Sequence, residues 1–325
     1  MRSLWNGDGR RVRLCEVGMR DGLQNEAVFV PTADKIELVD ALSQAGAAKI
    51  EVTAFVSAQA IPALRDAEVV MREIRRQPGI VYSALVPNVR GAQRAIDARS
   101  DELNLVMSAS ESHNLANLRM TRGQSFAALS QVAALARDAG VAVNVSLSCC
   151  FGCPMEGEVA PATVLGWCER FVDELGAQGV TLCDTTGMAY PPQVVALVRD
   201  FRARWPATAL TVHFHDTRGL GLANLLAAID AGADCFDASL GGLGGCPYAP
   251  GASGNVCSED MVHALALMAY DTGIDLPALL NAAGRLPALI GHDLPGQIVK
   301  AGRRLDLHPL PDDFEATRAR ALARG

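Results

Sequence analysis

The chain has 325 residues, half of them hydrophobic, and a formal net charge of −7. That length and apolar content suit one large α/β domain or two small ones. The acidic balance argues against nucleic acid as a main partner, and no apolar run reaches membrane-spanning length or forms a signal peptide, so a cytoplasmic protein without a membrane partner is expected.

Short apolar runs alternate with longer helical patterns along the chain. Apparent strands run over Arg13–Val17, Lys49–Thr53, Val81–Val86, Glu102–Met107, Val141–Ser148, Val180–Cys183, Leu210–His215 and Cys235–Leu240. Pro31 and Thr32 open an amphipathic helix that stops near Gly46, a C-cap signal. Further helical stretches lie at Ser125–Ala139, Ala162–Leu175, Pro192–Arg204 and Gly221–Ala231. Repeated strand–helix units of this number predict a (β/α)8 TIM barrel. A doubly wound open sheet is the rival, weakened because no GxGxxG run follows the first strand. The barrel is expected over residues 1–270 and a C-terminal helical extension over 271–325, with the charged, arginine-rich stretch from 306 partly disordered.

In such barrels the chemistry sits at the C-terminal ends of the strands. The first strand runs into Arg20, Asp21 and Gln24, the second carries Glu51, the sixth ends in Asp184-Thr185-Thr186, and the seventh in His213-Phe214-His215-Asp216. His213 and His215 are two apart on a strand, so both point to one face, as a metal pair or as hydrogen-bonded core histidines. Asp21 lies close to them across barrel closure, and Asn255 could add an amide oxygen. Two nitrogens and two oxygens without thiolate suit Mg²⁺ or Mn²⁺ better than structural zinc. Arg20 would clamp a developing oxyanion, or would pair structurally with a carboxylate such as Glu51.

The stretch Ser239–Asn255, SLGGLGGCPYAPGASGN, is too rich in glycine for a helix or strand interior. It reads as an active-site lid carrying the thiol of Cys246, or as a flexible linker. The other cysteines read as small buried hydrophobes, and the cluster Cys149, Cys150, Cys153 lacks a second pair at zinc-site spacing. Only three lysines exist, Lys35, Lys49 and Lys300, and none lies at a strand's C-terminal end. Schiff-base chemistry is therefore excluded, and a metal must act as the electron sink.

The runs EVGMRDGLQNE (16–26), IEVTAFVS (50–57), HFHDT (213–217) and GLGGCPY (242–248) resemble the 3-hydroxy-3-methylglutaryl-CoA (HMG-CoA) lyase family of metal-dependent TIM barrels. The resemblance covers residues 12 to about 270. It implies cleavage of HMG-CoA to acetyl-CoA and acetoacetate, a step of leucine catabolism, by a homo-oligomer (dimer or tetramer) using Mg²⁺ or Mn²⁺. It further implies Asp21, His213, His215 and Asn255 as metal ligands. Arg20, Asp21, Glu51, His213 and Cys246 would be catalytic, with Arg20 facing the enolate and Cys246 as mobile acid/base. Gln24, Glu51, Asn144, Ser146 and Thr185 would bind substrate.

Departures from the family pattern fall around the acyl pocket. Asn144-Val145-Ser146 stands where Arg-Gly-Tyr is common, Ala27 where a lysine is frequent, and Ala54 where a serine is frequent. Asn144 and Ser146 alternate with Val145 and could both face the mouth. This predicts either the same cleavage on an acyl-CoA with a bulkier or less acidic acyl group, or a silent replacement of the arginine by Arg119 or Arg122. An acyl-CoA condensing enzyme and a non-catalytic barrel are more distant alternatives.

Overall fold

A computed structural model of the chain describes residues 4–245 and 254–324. Eight parallel strands close into a barrel in sequence order: β1 (Arg13–Glu16), β2 (Lys49–Ala54), β3 (Val81–Leu85), β4 (Glu102–Ser108), β5 (Ala142–Ser148), β6 (Gly179–Asp184), β7 (Ala209–Phe214) and β8 (Cys235–Ala238). The helices that return the chain are α1 (Thr32–Gln44), α2 (Ala67–Glu73), α3 (Val89–Asp97), the pair α4 (Glu111–Leu118) and α5 (Arg122–Asp138), α6 (Pro161–Glu169), α7 (Pro191–Arg204), α8 (Gly221–Asp230) and α9 (Ser258–Leu267). This is the (β/α)8 barrel expected from the alternating pattern, and the open sheet is excluded because β1 pairs with β8. Beyond it lie α10 (Leu276–Ala283), α11 (Leu286–Ile290), α12 (Ile298–Ala301) and α13 (Phe314–Leu322). The stretch expected to be partly disordered includes α13, and every described residue of that helix is exposed. No helix among the described residues is long and apolar enough to cross a membrane.

The main core lies between the barrel and its helices. Outward strand residues such as Leu14, Ile50, Leu105, Val145, Leu182 and Val212 pack with Leu38, Met71, Val132 and Phe201 of the helices, all buried. Inside the barrel the alternate positions are polar: Glu51, Ser83, Asn104, Asn144, Thr181 and Asp237 line a cavity of about 10 Å³, room for roughly one water. An interior this polar has to satisfy its own hydrogen bonds, and those bonds hold the site from below. At the floor Lys49 lies 2.6 Å from Glu102. Burial draws its pKa down, but Cys15 and Glu102 outweigh that and raise it, so the amine stays a cation and is no Schiff-base nucleophile.

The root of the glycine-rich loop rests on two buried carboxyls. Glu16 Oε1 accepts from the backbone N–H groups of Gly18 and Leu240, at 2.7 and 2.8 Å. Both oxygens of Glu259 accept from Gly241 N–H at 3.0 Å. Burial pushes Glu16 up to about 8 and Glu259 up to about 7, against their hydrogen bonds, from an ordinary 4.5. Between those values the unfolded chain has released the protons that the folded chain keeps, so stability is full below about 4.5 and falls as pH rises through about 8. Thermal melts across that range should show the decline, and Glu16→Gln, which imitates the neutral acid, should flatten it. An unchanged pH slope in the variant would remove Glu16 from this account.

Candidate metal and active site

β1 ends at Glu16, and the chain passes into a single π-helical turn, Gly18–Gly22. Such turns gather at functional sites because they re-aim side chains. This one presents Arg20 and Asp21 at the C-terminal end of the barrel. At the end of β7, His213 and His215 place their ring centroids 5.1 Å apart. One ligand atom each from Asp21, His213 and His215 falls within 4.8 Å of the others, the one such acid–histidine–cysteine group among the described residues. Asn255, bridged through its backbone to His215, donates from Nδ2 to Asp21 Oδ2 at 2.8 Å. Gly244 adopts φ +93°, and a Cβ there would lie 2.6 Å from the carbonyl oxygen of Asp21 and 2.8 Å from Asn255 Nδ2. Only glycine lets the loop approach so closely.

The electrostatics suit a cation. Burial pushes the Asp21 carboxyl up, but Arg20 and the two histidines outweigh it and hold Asp21 well below the usual carboxylate range, so it is ionised. Burial, helped by neighbouring His213, draws His215 down to about 3, so its imidazole is neutral, the form that ligates. His215 Nδ1 and Asn255 Oδ1 are buried without a hydrogen-bond partner. Unpaired buried polar atoms are costly, and here two of them sit beside an ionised carboxylate and a second imidazole. A carboxylate, an amide oxygen and two imidazoles fit a divalent metal ion, and bring together the four residues expected to hold it.

Arg20 is clamped between two carboxylates. Its Nη1 donates to Asp21 Oδ1, and its Nε donates to Glu51 Oε2 at 2.5 Å. Burial works against the charge, but Asp21 and Glu51 prevail and raise its pKa further, so the guanidinium is permanent. The structural ion pair with Glu51 thus exists, and it leaves Arg20 at the mouth. Gln24 Nε2 donates to Asp21 Oδ1 at 3.0 Å, joining the same cluster. Thr185, just beyond the end of β6, accepts from Cys149 N–H at 3.0 Å. Asn144 and Ser146 are buried inside the barrel and donate to Asn104 Oδ1, at 3.0 and 2.8 Å. Cys246 lies outside the described residues. Cys149, Cys150 and Cys153 are buried, and Cys153 Sγ accepts from Ser110 Oγ at 3.0 Å.

Sequence reasoning missed Asp237. It pairs in register with His213 across β7 and β8, and its Oδ2 lies 3.1 Å from His213 Nδ1. Burial alone would lower the pKa of His213, but the Asp237 hydrogen bond and charge win and raise it. Asp237 occupies one ring nitrogen and so directs the other to the cluster. The available signal was an inward carboxylate two residues after Cys235 in a strand of otherwise apolar type. Asp237→Asn is expected to weaken Mn²⁺ binding by about tenfold, the lower end for such outer partners. Electron paramagnetic resonance of free against bound Mn²⁺ measures it, and unchanged affinity would make Asp237 a bystander.

The family model HMGL-like matches residues 11–285. Hydroxymethylglutaryl-CoA lyase YngG of Bacillus subtilis is 44% identical over 288 residues, 89% of this chain and 96% of that protein. (R)-citramalyl-CoA lyase of Chloroflexus aurantiacus is 40% identical over 301 residues, 90% of this chain and 95% of that protein. Among solved structures, an HMG-CoA lyase from A. baumannii in complex with coenzyme A and 3-methylmalate superposes with TM-score 0.89 at 48% identity, covering 96% of this chain and 100% of that one. Match, barrel and polar cluster agree: the chain belongs to the HMGL-like family and is an enzyme of the HMG-CoA lyase type.

Proposed function

We propose that the enzyme cleaves HMG-CoA to acetyl-CoA and acetoacetate. The observation that carries this reading is the meeting of Asp21, His213 and His215 within 4.8 Å, with Arg20 held beside them by Asp21 and Glu51. Asp21, His213, His215 and Asn255 would hold the divalent cation. When bound, it supplies Lewis-acid polarisation of substrate oxygen.

The bond changes balance without a further reactant. The 3-hydroxyl gives up its proton, its electron pair forms the C3 carbonyl, and the C2–C3 bond breaks. The electrons pass into the thioester enolate, and C2 takes a proton, releasing acetyl-CoA. Arg20 faces the enolate oxygen, where a permanent cation stabilises charge that exists only as the bond breaks. Glu51, whose carboxyl is raised chiefly by burial, orients the substrate hydroxyl. Cys246 delivers the proton to C2. Gln24 and Thr185 contribute contacts at the mouth.

The alternative of a bulkier acyl group is not favoured. Relatives at 41–44% identity carry the HMG-CoA lyase name. Asn144 and Ser146, on which that alternative rested, are turned to Asn104. Acetyl-CoA release from HMG-CoA, citramalyl-CoA and longer 3-hydroxyacyl-CoAs, with Mg²⁺ or Mn²⁺, tests the reading. The largest kcat/KM is expected for HMG-CoA, and a larger value for any other thioester would replace it as the substrate.

A further inference from the structure

The carboxylate of Glu51 is gripped from both sides. Its Oε2 accepts from Arg20 Nε at 2.5 Å, and its Oε1 accepts from Asn104 Nδ2 at 2.7 Å. Asn104 belongs to β4, two strands away; on the intervening β3 the small Ser83 pairs with Glu51, while Asn104 pairs with Leu85, so the bond crosses β3 on the diagonal. Asn104 in turn has its amide orientation set. Its Oδ1 accepts from Ser146 Oγ and Asn144 Nδ2, so its NH₂ end must point to Glu51. Asn144 is itself anchored by donating to Thr181 Oγ1 at 2.9 Å. It fits only because residue 179 is glycine: a Cβ there would lie 2.6 Å from Asn144 Oδ1. An oriented series of hydrogen bonds therefore runs from β6 through β5 and β4 to Glu51, and ends on Arg20.

We propose that Asn104 is a positioning residue: supported by Asn144 and Ser146, it fixes the Glu51 carboxylate, and through Glu51 the direction in which Arg20 presents its guanidinium to the reacting thioester. The proposal rests on the role of Arg20 given above. Without Asn104, Oε1 of Glu51 is left buried without its donor, and the carboxylate is free to rotate away from Arg20 Nε. A displacement of about 1 Å at a catalytic charge can cost on the order of a hundredfold in rate.

The test is a double-mutant cycle on the full-length, Mn²⁺-loaded enzyme with HMG-CoA. Asn104→Leu, which keeps the branching of the side chain but removes its polar atoms, is expected to lower kcat by about ten- to a hundredfold with KM and Mn²⁺ affinity unchanged. Ser146→Ala, which keeps the donor to Glu51 but loosens its support, should lower kcat by less than about tenfold and serves if the leucine variant fails to fold. The Glu51→Gln/Asn104→Leu double variant should be no slower than Glu51→Gln, because Asn104 acts only through Glu51. Multiplying losses in kcat, or a loss confined to KM, would overturn the proposal, as would a variant that merely melts earlier at full kcat. If the wild-type enzyme releases no acetyl-CoA, the substrate reading fails on its own. Melting temperatures of the same four proteins then decide the Asn104–Glu51 link, which strictly additive shifts would refute.

Discussion

Arg20→Gln should bind Mn²⁺ and turn over almost nothing: a loss on the order of 10²–10³ in kcat is expected, the usual effect of one preorganised electrostatic group. Nothing in the metal cluster depends on the guanidinium as a ligand, since Asp21 keeps Gln24 and Asn255 as donors. The enolate does depend on it. Its charge appears only as C2 and C3 separate, so the missing cation is felt in kcat rather than in KM. The substitution also leaves Asp21 and Glu51 facing each other without the charge between them, and both carboxyls should rise. Calorimetric Mn²⁺ titration alongside steady-state acetyl-CoA release separates the two effects. Near-normal kcat would take Arg20 out of the mechanism.

His213→Ala is expected to weaken Mn²⁺ binding by more than about a hundredfold, beyond the range of losses among outer partners of a metal. The alanine removes one of the three ligand side chains that meet within 4.8 Å. It also strands Asp237, whose half-buried oxygen then lacks the imidazole 3.1 Å away. Activity should disappear in parallel, and excess Mn²⁺ should restore part of it. Binding as tight as in the wild type would place the metal elsewhere. The comparison with Asp237→Asn matters here: a ligand and its orienting partner should differ by more than about tenfold in the damage they do.

Much of this site can be read before folding. Period-two spacing puts His213 and His215 on one face of a strand whatever surrounds it, and the strand–helix alternation places that strand in a barrel whose functional face is known. Arg20 and Asp21 follow directly after a strand, so their place at the mouth is also local information. The shape of their backbone is less legible: the first strand was expected to reach Val17, but it stops at Glu16 and the next residues wind into a π turn. The eighth was expected to reach Leu240 and stops at Ala238, where the chain bends to follow the glycines, Gly241 with φ 66°.

What the sequence determined by itself is the alternation of elements, the residue types at each strand end and the lack of a usable lysine. These depend on neighbours within a few positions. Only the tertiary structure decided which polar side chains meet inside the barrel. Asp237 reaches His213 because β7 and β8 align in one register, and Asn104 reaches Glu51 across β3 because the stagger of β2, β3 and β4 sets it diagonally opposite. Alternation puts Asn144 and Ser146 on the inward face, but that both bond to Asn104 there also depends on their depth. Depth along the barrel is set by strand stagger and closure, a property of all eight strands together. The same closure buries Glu16 and Glu259, so their shifted proton affinities come from the assembled fold and have no local signature.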